Sequence, residues 1–283
     1  MQPERAAHGV ELAIRLSVPD EPISKEPMQQ PLQRLHLLYH ELRAGVSRYS
    51  YVVETELFER HLDLFAQLRA AKGCDLWPEL TFDDGHISNY DLAAPLLQAK
   101  GLNAQFFITV GWTGTKSGYM GWNELRALHE AGFSIGAHGW THILLTHCNE
   151  QKLQDELKKS RLTLEDRLGS SIAAISLPGG RYNRRVLAAC AKAGYTQIYT
   201  SEPKIESIPP GTTIGRVNIL GNMQPEWIEK LFTPESVLLS KLQRKYRIKS
   251  AAKKMLGDGL YNRIWGLVNH REPETDYGRN GAE

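Results

Sequence analysis

The chain has 283 residues, 41% hydrophobic and 23% charged, which is enough to bury a sizeable core without disulfide staples and too apolar for a wholly disordered protein. A formal net charge of +2 gives no global attraction to nucleic acid. Three cysteines, Cys74, Cys148 and Cys190, stand at no ligand-like spacing, so free buried thiols in a reducing compartment are expected.

Residues 1–33 read as a lead-in segment, punctuated by Pro19, Pro22, Pro27 and Pro31. The stretch from Met1 to Asp20 is broken by charges and has no apolar run of signal-peptide or membrane-span length. A cytoplasmic location is the expectation. LHLLYHEL (Leu35 to Leu42) then reads as a buried strand, and Phe58 to Ala71 as an amphipathic helix with Leu62, Phe65 and Leu68 on one face.

Strands and helices alternate from there. LTF runs into DDG, and YDLAAPLLQAKG (Tyr90 to Gly101) is a helix stopped by glycine. NAQFFITV is a strand, NELRALHEAG a helix, FSIGAH a strand, and Glu150 to Gly169 a long amphipathic helix. SIAAISLP, RRVLAACAKAG and YTQIYTS give strand, helix and strand. Regular alternation with short links predicts a parallel α/β sheet or barrel over residues 34–222. Beyond it, residues 223–283 form an extension. Residues 236–268 are helix-forming and basic between Lys241 and Lys254, and the tail after His270 is polar.

Two segments carry chemistry. TFDDG places Asp83 and Asp84 side by side where a strand enters a glycine turn, so both carboxylates can reach one cavity. DDG alone reads better as an ordinary turn with a local hydrogen-bonding aspartate. AHGWTH places His138 and His142 four apart at the end of another strand, close enough for both imidazoles to meet one ion. Two neutral imidazoles and a carboxylate, with coordination positions left open, are the ligand set of a catalytic divalent metal. That both segments stand at strand ends favours a site over two unrelated turns.

TFDDG and HGWTH together resemble the first two motifs of the NodB-homology polysaccharide deacetylases. The resemblance runs from about Leu35 to Leu220 and includes QFFITVG and LPGGRYN. It implies a distorted (β/α) barrel of parallel strands, here with a basic helical C-terminal extension. It further implies metal-dependent removal of N-acetyl groups from a sugar polymer, oligosaccharide or lipid-linked glycan, as in bacterial exopolysaccharide or envelope biosynthesis. By position, Asp83 would be the general base, and Asp84, His138 and His142 the metal ligands. Zinc is the default metal, with cobalt, nickel or iron accepted by the same donors. The third motif falls on SLPGG, where backbone N–H groups near Pro178 to Gly180 would hold the oxyanion; Pro178, Gly179, Gly180, Arg181 and Tyr182 would border the substrate, as would Tyr199 in the fourth motif.

The resemblance also marks departures. Ser176 stands where an arginine would orient the base, and Arg181 or Arg216 could replace it. Gly179 replaces an aromatic residue. No histidine falls where the family brings its general acid, which leaves His86 first, then His40 and His147, as candidates. Two rival readings stay open. One is a metal hydrolase of another C–N bond, in a ureide or cyclic imide, and the other a glycan-binding module with a degenerate site. The basic stretch at 236–268 is a solvated helix face, an anionic-lipid contact anchored by Tyr261 and Trp265, or a guide for an anionic glycan.

Overall fold

The structure is a computed structural model and describes residues 33–71, 75–207, 210–211, 213–233 and 236–251. The lead-in up to residue 32, Cys74, and the chain beyond residue 251 with Tyr261, Trp265 and the polar tail lie outside the described residues.

LHLLYHEL does not make one strand. It divides at His40 into β1 (Gln33–Tyr39) and β2 (Glu41–Arg43), and β2 pairs in parallel with β3 (Val52–Glu54) as a separate ribbon. The predicted alternation follows: α1 (Thr55–Ala70), β4 (Leu76–Phe82), α2 (Ala94–Ala99), β5 (Ala104–Ile108), α3 (Trp122–Glu130), β6 (Ser134–Ala137), α4 (Glu150–Leu168), β7 (Ala174–Ser176), α5 (Arg184–Lys192) and β8 (Gln197–Tyr199). The helix expected from Tyr90 opens with a wide π turn over Asn89–Ala93 before α2. Local chemistry sets the ends of α4: the Asn149 side chain accepts the Lys152 N–H at 2.8 Å, and Gly169 ends the helix at φ 67°. Then come β9 (Glu206–Ser207), β10 (Thr213–Ile214), β11 (Arg216–Asn218) and α6 (Pro225–Glu229), and residues 238–251 are helical.

The main sheet runs β10–β8–β7–β6–β5–β4–β1–β11 with every neighbouring pair parallel, and β9 joins β1 antiparallel. β10 and β11 are one run of chain interrupted at Gly215. Its first half borders β8 and its second half borders β1, so the two edges of the sheet meet and the barrel nearly closes. A Cβ at Gly215 would lie 2.3 Å from the Glu202 carbonyl oxygen, so this crossing point takes no side chain.

Period-two alternation sorts the strands into two faces. Leu35, Leu37 and Tyr39 of β1, with Leu80 and Phe82 of β4, pack outward into the core under the helices. Arg34, His36, Glu79 and Thr81 line a polar cavity of about 370 Å³ inside the barrel towards its N-terminal end. The chemistry-bearing segments lie at the opposite end, beyond the C-terminal ends of β4 and β6. Cys148 and Cys190 are free and buried.

Candidate metal centre and active site

Asp83 continues the inward line of Glu79 and Thr81, so strand geometry alone aims it into the barrel. Asp84 would by the same alternation face outward. Its backbone is left-handed, φ 76°, and the turn this creates brings its carboxylate back to the site. His142 is left-handed as well, at φ 62°, and these are the non-glycine residues with positive φ among those described. Each such residue costs about 1 kcal/mol or more, so the strain is concentrated on two of the expected metal ligands.

His138 follows β6 and is 2% exposed. Its Nδ1 lies 2.8 Å from the Ser176 carbonyl, an acceptor only, so Nδ1 carries the proton and Nε2 keeps its lone pair. Asp84 Oδ1 is 3.3 Å from His138 Nε2 and 3.1 Å from His142 Nε2, yet it is a buried atom without a directed hydrogen bond. The three ligand atoms fall within 4.8 Å of one another. An ionised oxygen and two imidazole nitrogens that converge without bonding each other fit a divalent cation. Burial tends to raise the Asp84 carboxyl, but the two imidazoles outweigh it and hold the group well below the usual range.

Asp83 is built differently. Arg216, 0% exposed, grips it bidentately, with Nη1 donating to Oδ1 at 2.7 Å and Nη2 to Oδ2 at 2.8 Å. Ser176 Oγ accepts from Arg216 Nη2 at 2.6 Å and donates to Asp83 Oδ2 at 2.9 Å. The guanidinium is fixed further by the Thr200 carbonyl and Thr81 Oγ1, and lies over the rings of Phe107 and Tyr199. Burial pushes the Asp83 carboxyl up, but the Arg216 charge overcomes this and holds it below its ordinary value. Of the two arginines named from the sequence, Arg216 therefore is the one that meets Asp83. Arg181, after β7, lies on the side of Glu202 and Tyr246 instead.

The remaining expected residues are scattered around this centre. Tyr199 is 6% exposed and turns into the barrel, edge-on to His36 and beneath Arg216, so it supports the arginine rather than walling a substrate. Gly179 is left-handed at φ 65°, and a Cβ there would sit 2.8 Å from Leu144 Cδ2, so an aromatic side chain would be strained at this position. Of the positions expected to offer oxyanion N–H groups, Pro178 has none and the Gly180 N–H donates to Leu177. Tyr182 is half-exposed at the end of that turn.

His86 does not carry the charge of an acid. Burial drives it down to about 4, and its Nδ1 is held by Ser88 while its ring meets Tyr119 edge-on. His40 stands beside the centre against Tyr51, and burial lowers it too, against the pull of Asp84 and Asp83. His147 is exposed in the turn after HGWTH. Sequence reasoning missed Glu156, an acid of α4 that bonds the segment between the two histidines.

The protein is thus a near-closed parallel barrel with a carboxylate and two histidines gathered at its C-terminal end. Residues 78–198 match the family model described as polysaccharide deacetylase. Over that stretch the chain is similar to polysaccharide deacetylases of the NodB-homology type. A Bacillus subtilis (strain 168) protein provisionally named a polysaccharide deacetylase, YxkH, is 32% identical over 132 residues, 47% of each chain. The chain spans about half the length of the curated relatives it matches. In fold it is similar to the Streptococcus pyogenes deacetylase PplD in complex with acetate (24% identity, TM-score 0.64, 72% of this chain and 100% of that one). The same holds for the de-N-acetylase from Aggregatibacter actinomycetemcomitans, at 15% identity, TM-score 0.60, and 71% and 100% coverage.

Proposed function

We propose that this domain hydrolyses the N-acetyl group of an acetamido sugar in an exopolysaccharide, envelope or lipid-linked glycan, with Asp83 as base beside a metal held by Asp84, His138 and His142. The observation that carries the reading is the ionised Asp83, doubly held by Arg216, with Oδ2 3.8 Å from His138 Nε2. A glycan-binding module has no use for a buried charged base beside its ligands, since removing such a pair from water costs several kcal/mol per ion. The likeness to a deacetylase bound to acetate and to a de-N-acetylase supports the same chemistry.

A divalent cation bound there, zinc by default, supplies a Lewis acid for the acetyl oxygen and a lowered pKa for the attacking water. Asp83 takes the water's proton as the oxygen–carbon bond forms. The carbon–nitrogen bond then breaks, and the leaving amine takes up that proton from Asp83, which holds it beside the reacting atoms. Arg216 and Ser176 keep the carboxylate oxygens in place through both transfers.

The test is acetate release from N-acetylated oligosaccharides by protein loaded with zinc, cobalt or nickel. Acetate is expected from the loaded wild type, and none after chelation or from Asp83→Asn. Ammonia from a ureide without acetate from any glycan overturns the reading in favour of a different C–N hydrolase.

We also infer that residues 236–251 bring the barrel to an anionic lipid surface. Leu238, Leu239 and Leu242 pack on the core, while Lys241, Arg244 and Lys245 are exposed together with Val237 and Ile248. Helical spacing puts these exposed residues on one face. Tyr246, on the opposite face, lies near Tyr182 and Glu202, so the helix packs beside the turns after β7 and β8 with its basic face turned outward. Each base near such a surface contributes about 1 kcal/mol. No helix among the described residues is long and apolar enough to cross a membrane. Co-sedimentation with phosphatidylglycerol vesicles should be salt-sensitive and lost in Lys241→Glu/Arg244→Glu/Lys245→Glu. Equal recovery with neutral vesicles removes the idea.

A further inference from the structure

The segment joining the two histidines is short, and its backbone bonds can be followed one by one. The His138 N–H donates to the Ile108 carbonyl at 2.7 Å. The carbonyls of Gly139 and Trp140 accept from Val110 at 3.1 Å and Gly111 at 2.9 Å, so β5 and the turn after it hold one side of the segment. The other side has no strand to bond it. There the N–H groups of Trp140 and Thr141 both point at Glu156 Oε2, at 2.8 and 2.9 Å, and Thr141 Oγ1 donates to Glu156 Oε1 at 2.6 Å.

Glu156 is an unusual residue for the middle of α4. It is 1% exposed and sits in the buried stripe of Leu153, Leu157, Ser160 and Leu164. Its only nearby cation, among the described residues, is Lys152, whose Nζ lies 3.0 Å from Oε1. Burying a carboxylate in a helix face that is otherwise apolar is unfavourable unless its oxygens are filled. Here the donors that fill them come from the metal-ligand segment. Gly139 supplies the left-handed backbone, φ 75°, that turns the segment here, a conformation other residues adopt only under strain.

We infer that Glu156 is a positioning residue for the metal centre: its carboxylate clamps residues 140–141 and so holds His142 in the left-handed conformation that aims Nε2 at Asp84. His142 needs an external constraint. Its side chain is 35% exposed, and its ring neighbours are Trp112 at 5.2 Å and His138 at 5.0 Å, so side-chain packing alone does not fix it. Asp84 and His138 lie just beyond β4 and β6, and the end of β5 bonds both, the Thr109 N–H donating to the Asp84 carbonyl and the His138 N–H to the Ile108 carbonyl. Glu156 therefore acts on the one ligand the barrel does not place. The inference rests on the metal reading of Asp84, His138 and His142.

Zinc affinity, measured by chelator competition on the full chain well below its melting temperature, tests it. Glu156→Ala should bind zinc about tenfold or more weakly, as loss of a residue that orients ligands does. Amide exchange at Trp140 and Thr141 should accelerate in the same variant while β4 and β6 stay protected. Glu156→Gln keeps one acceptor oxygen for the two N–H groups and should recover most of the affinity. If Glu156→Ala does not fold, Glu156→Asp, with its carboxylate drawn back by one methylene, takes its place and should still weaken zinc binding about threefold or more. Either variant folded and binding zinc within twofold of wild type overturns the inference. Failure of the wild type itself to bind zinc would instead overturn the metal reading.

Discussion

The two adjacent acids of TFDDG belong to two differently built halves of one site. Asp84 sits with His138 and His142 on turns, partly open to solvent, with left-handed backbone at two of the three ligands. Asp83 is 3% exposed and held by strands, with Ser176 from β7 and Arg216 from β11 closing around it. The metal half has donors aimed at a point and none spent on each other. The base half has its donors and acceptors matched to one another. A centre that must take up an ion needs unsatisfied lone pairs, whereas a base that must stay charged in a dry barrel needs them satisfied.

The largest effects should come from breaking either half by itself. Removing a ligand, as in His138→Ala, should abolish stoichiometric zinc and reduce acetate release to background, with the fold intact by circular dichroism. Full zinc occupancy in that variant, by elemental analysis, would remove the triad from the reading. Arg216→Met should do the opposite: zinc stays bound while Asp83 loses its counter-charge. Breaking one side of such a buried pair costs about 3–5 kcal/mol, measurable by urea unfolding.

That loss has a defined pH dependence. Asp83 has a folded pKa below its unfolded value, so its pairing stabilises the protein above about pH 4 and is lost as pH falls through the lower, folded value. In Arg216→Met the buried carboxyl loses its counter-charge and keeps only the Ser176 hydroxyl, so its pKa moves up. The melting-temperature gap between wild type and variant should therefore be widest at neutral pH and narrow towards about pH 4. A gap independent of pH would mean that the arginine stabilises by packing alone.

The same contrast explains what could be read in advance. The metal half was legible because each of its pieces is contiguous: a strand pattern running into DDG, and another running into HGWTH. The barrel was legible from strand–helix alternation. The base half was only half legible, since Arg216 stood as one of two arginines with nothing local to choose between them. The choice depends on β11 pairing with β1, which brings Arg216 next to a residue 133 positions earlier. That closure happens at Gly215, beyond the 78–198 region that matches the family model. Ser176 looked like a loss and is half of an exchange, a small hydroxyl occupying the strand position from which a guanidinium would otherwise reach Asp83. Glu156 went unread because EQKLQDELKK looks like a solvated helix face. The signal was its place in the Leu153–Leu157–Leu164 stripe, where an acid has no reason to be unless something bonds it.

Smaller changes sharpen the boundary between the halves. Ser176→Ala leaves both Arg216–Asp83 bonds and removes one hydroxyl bridge, so about 1 kcal/mol of stability should go. kcat should fall severalfold with KM and zinc affinity unchanged. A change in zinc affinity instead would show that the hydroxyl acts through the Ser176 carbonyl on His138, and that the halves are coupled there.

The smallest effect should be at His86, the first candidate for the missing acid. Burial holds its imidazole down at about 4, so it is mostly neutral at pH 7 and poorly suited to donate a proton. Its Nδ1 is already engaged with Ser88, and its Nε2 lies 4.0 Å from Glu41. His86→Gln should accordingly leave the shape of the kcat/KM pH profile in place and lower kcat no more than about threefold, through the Tyr119 contact alone. If instead a descending limb near neutral pH disappears in His86→Gln, the imidazole is the donor. The return of the proton by Asp83 would then have to be given up, and the base half would extend past Arg216 and Ser176 to the turn that follows β4.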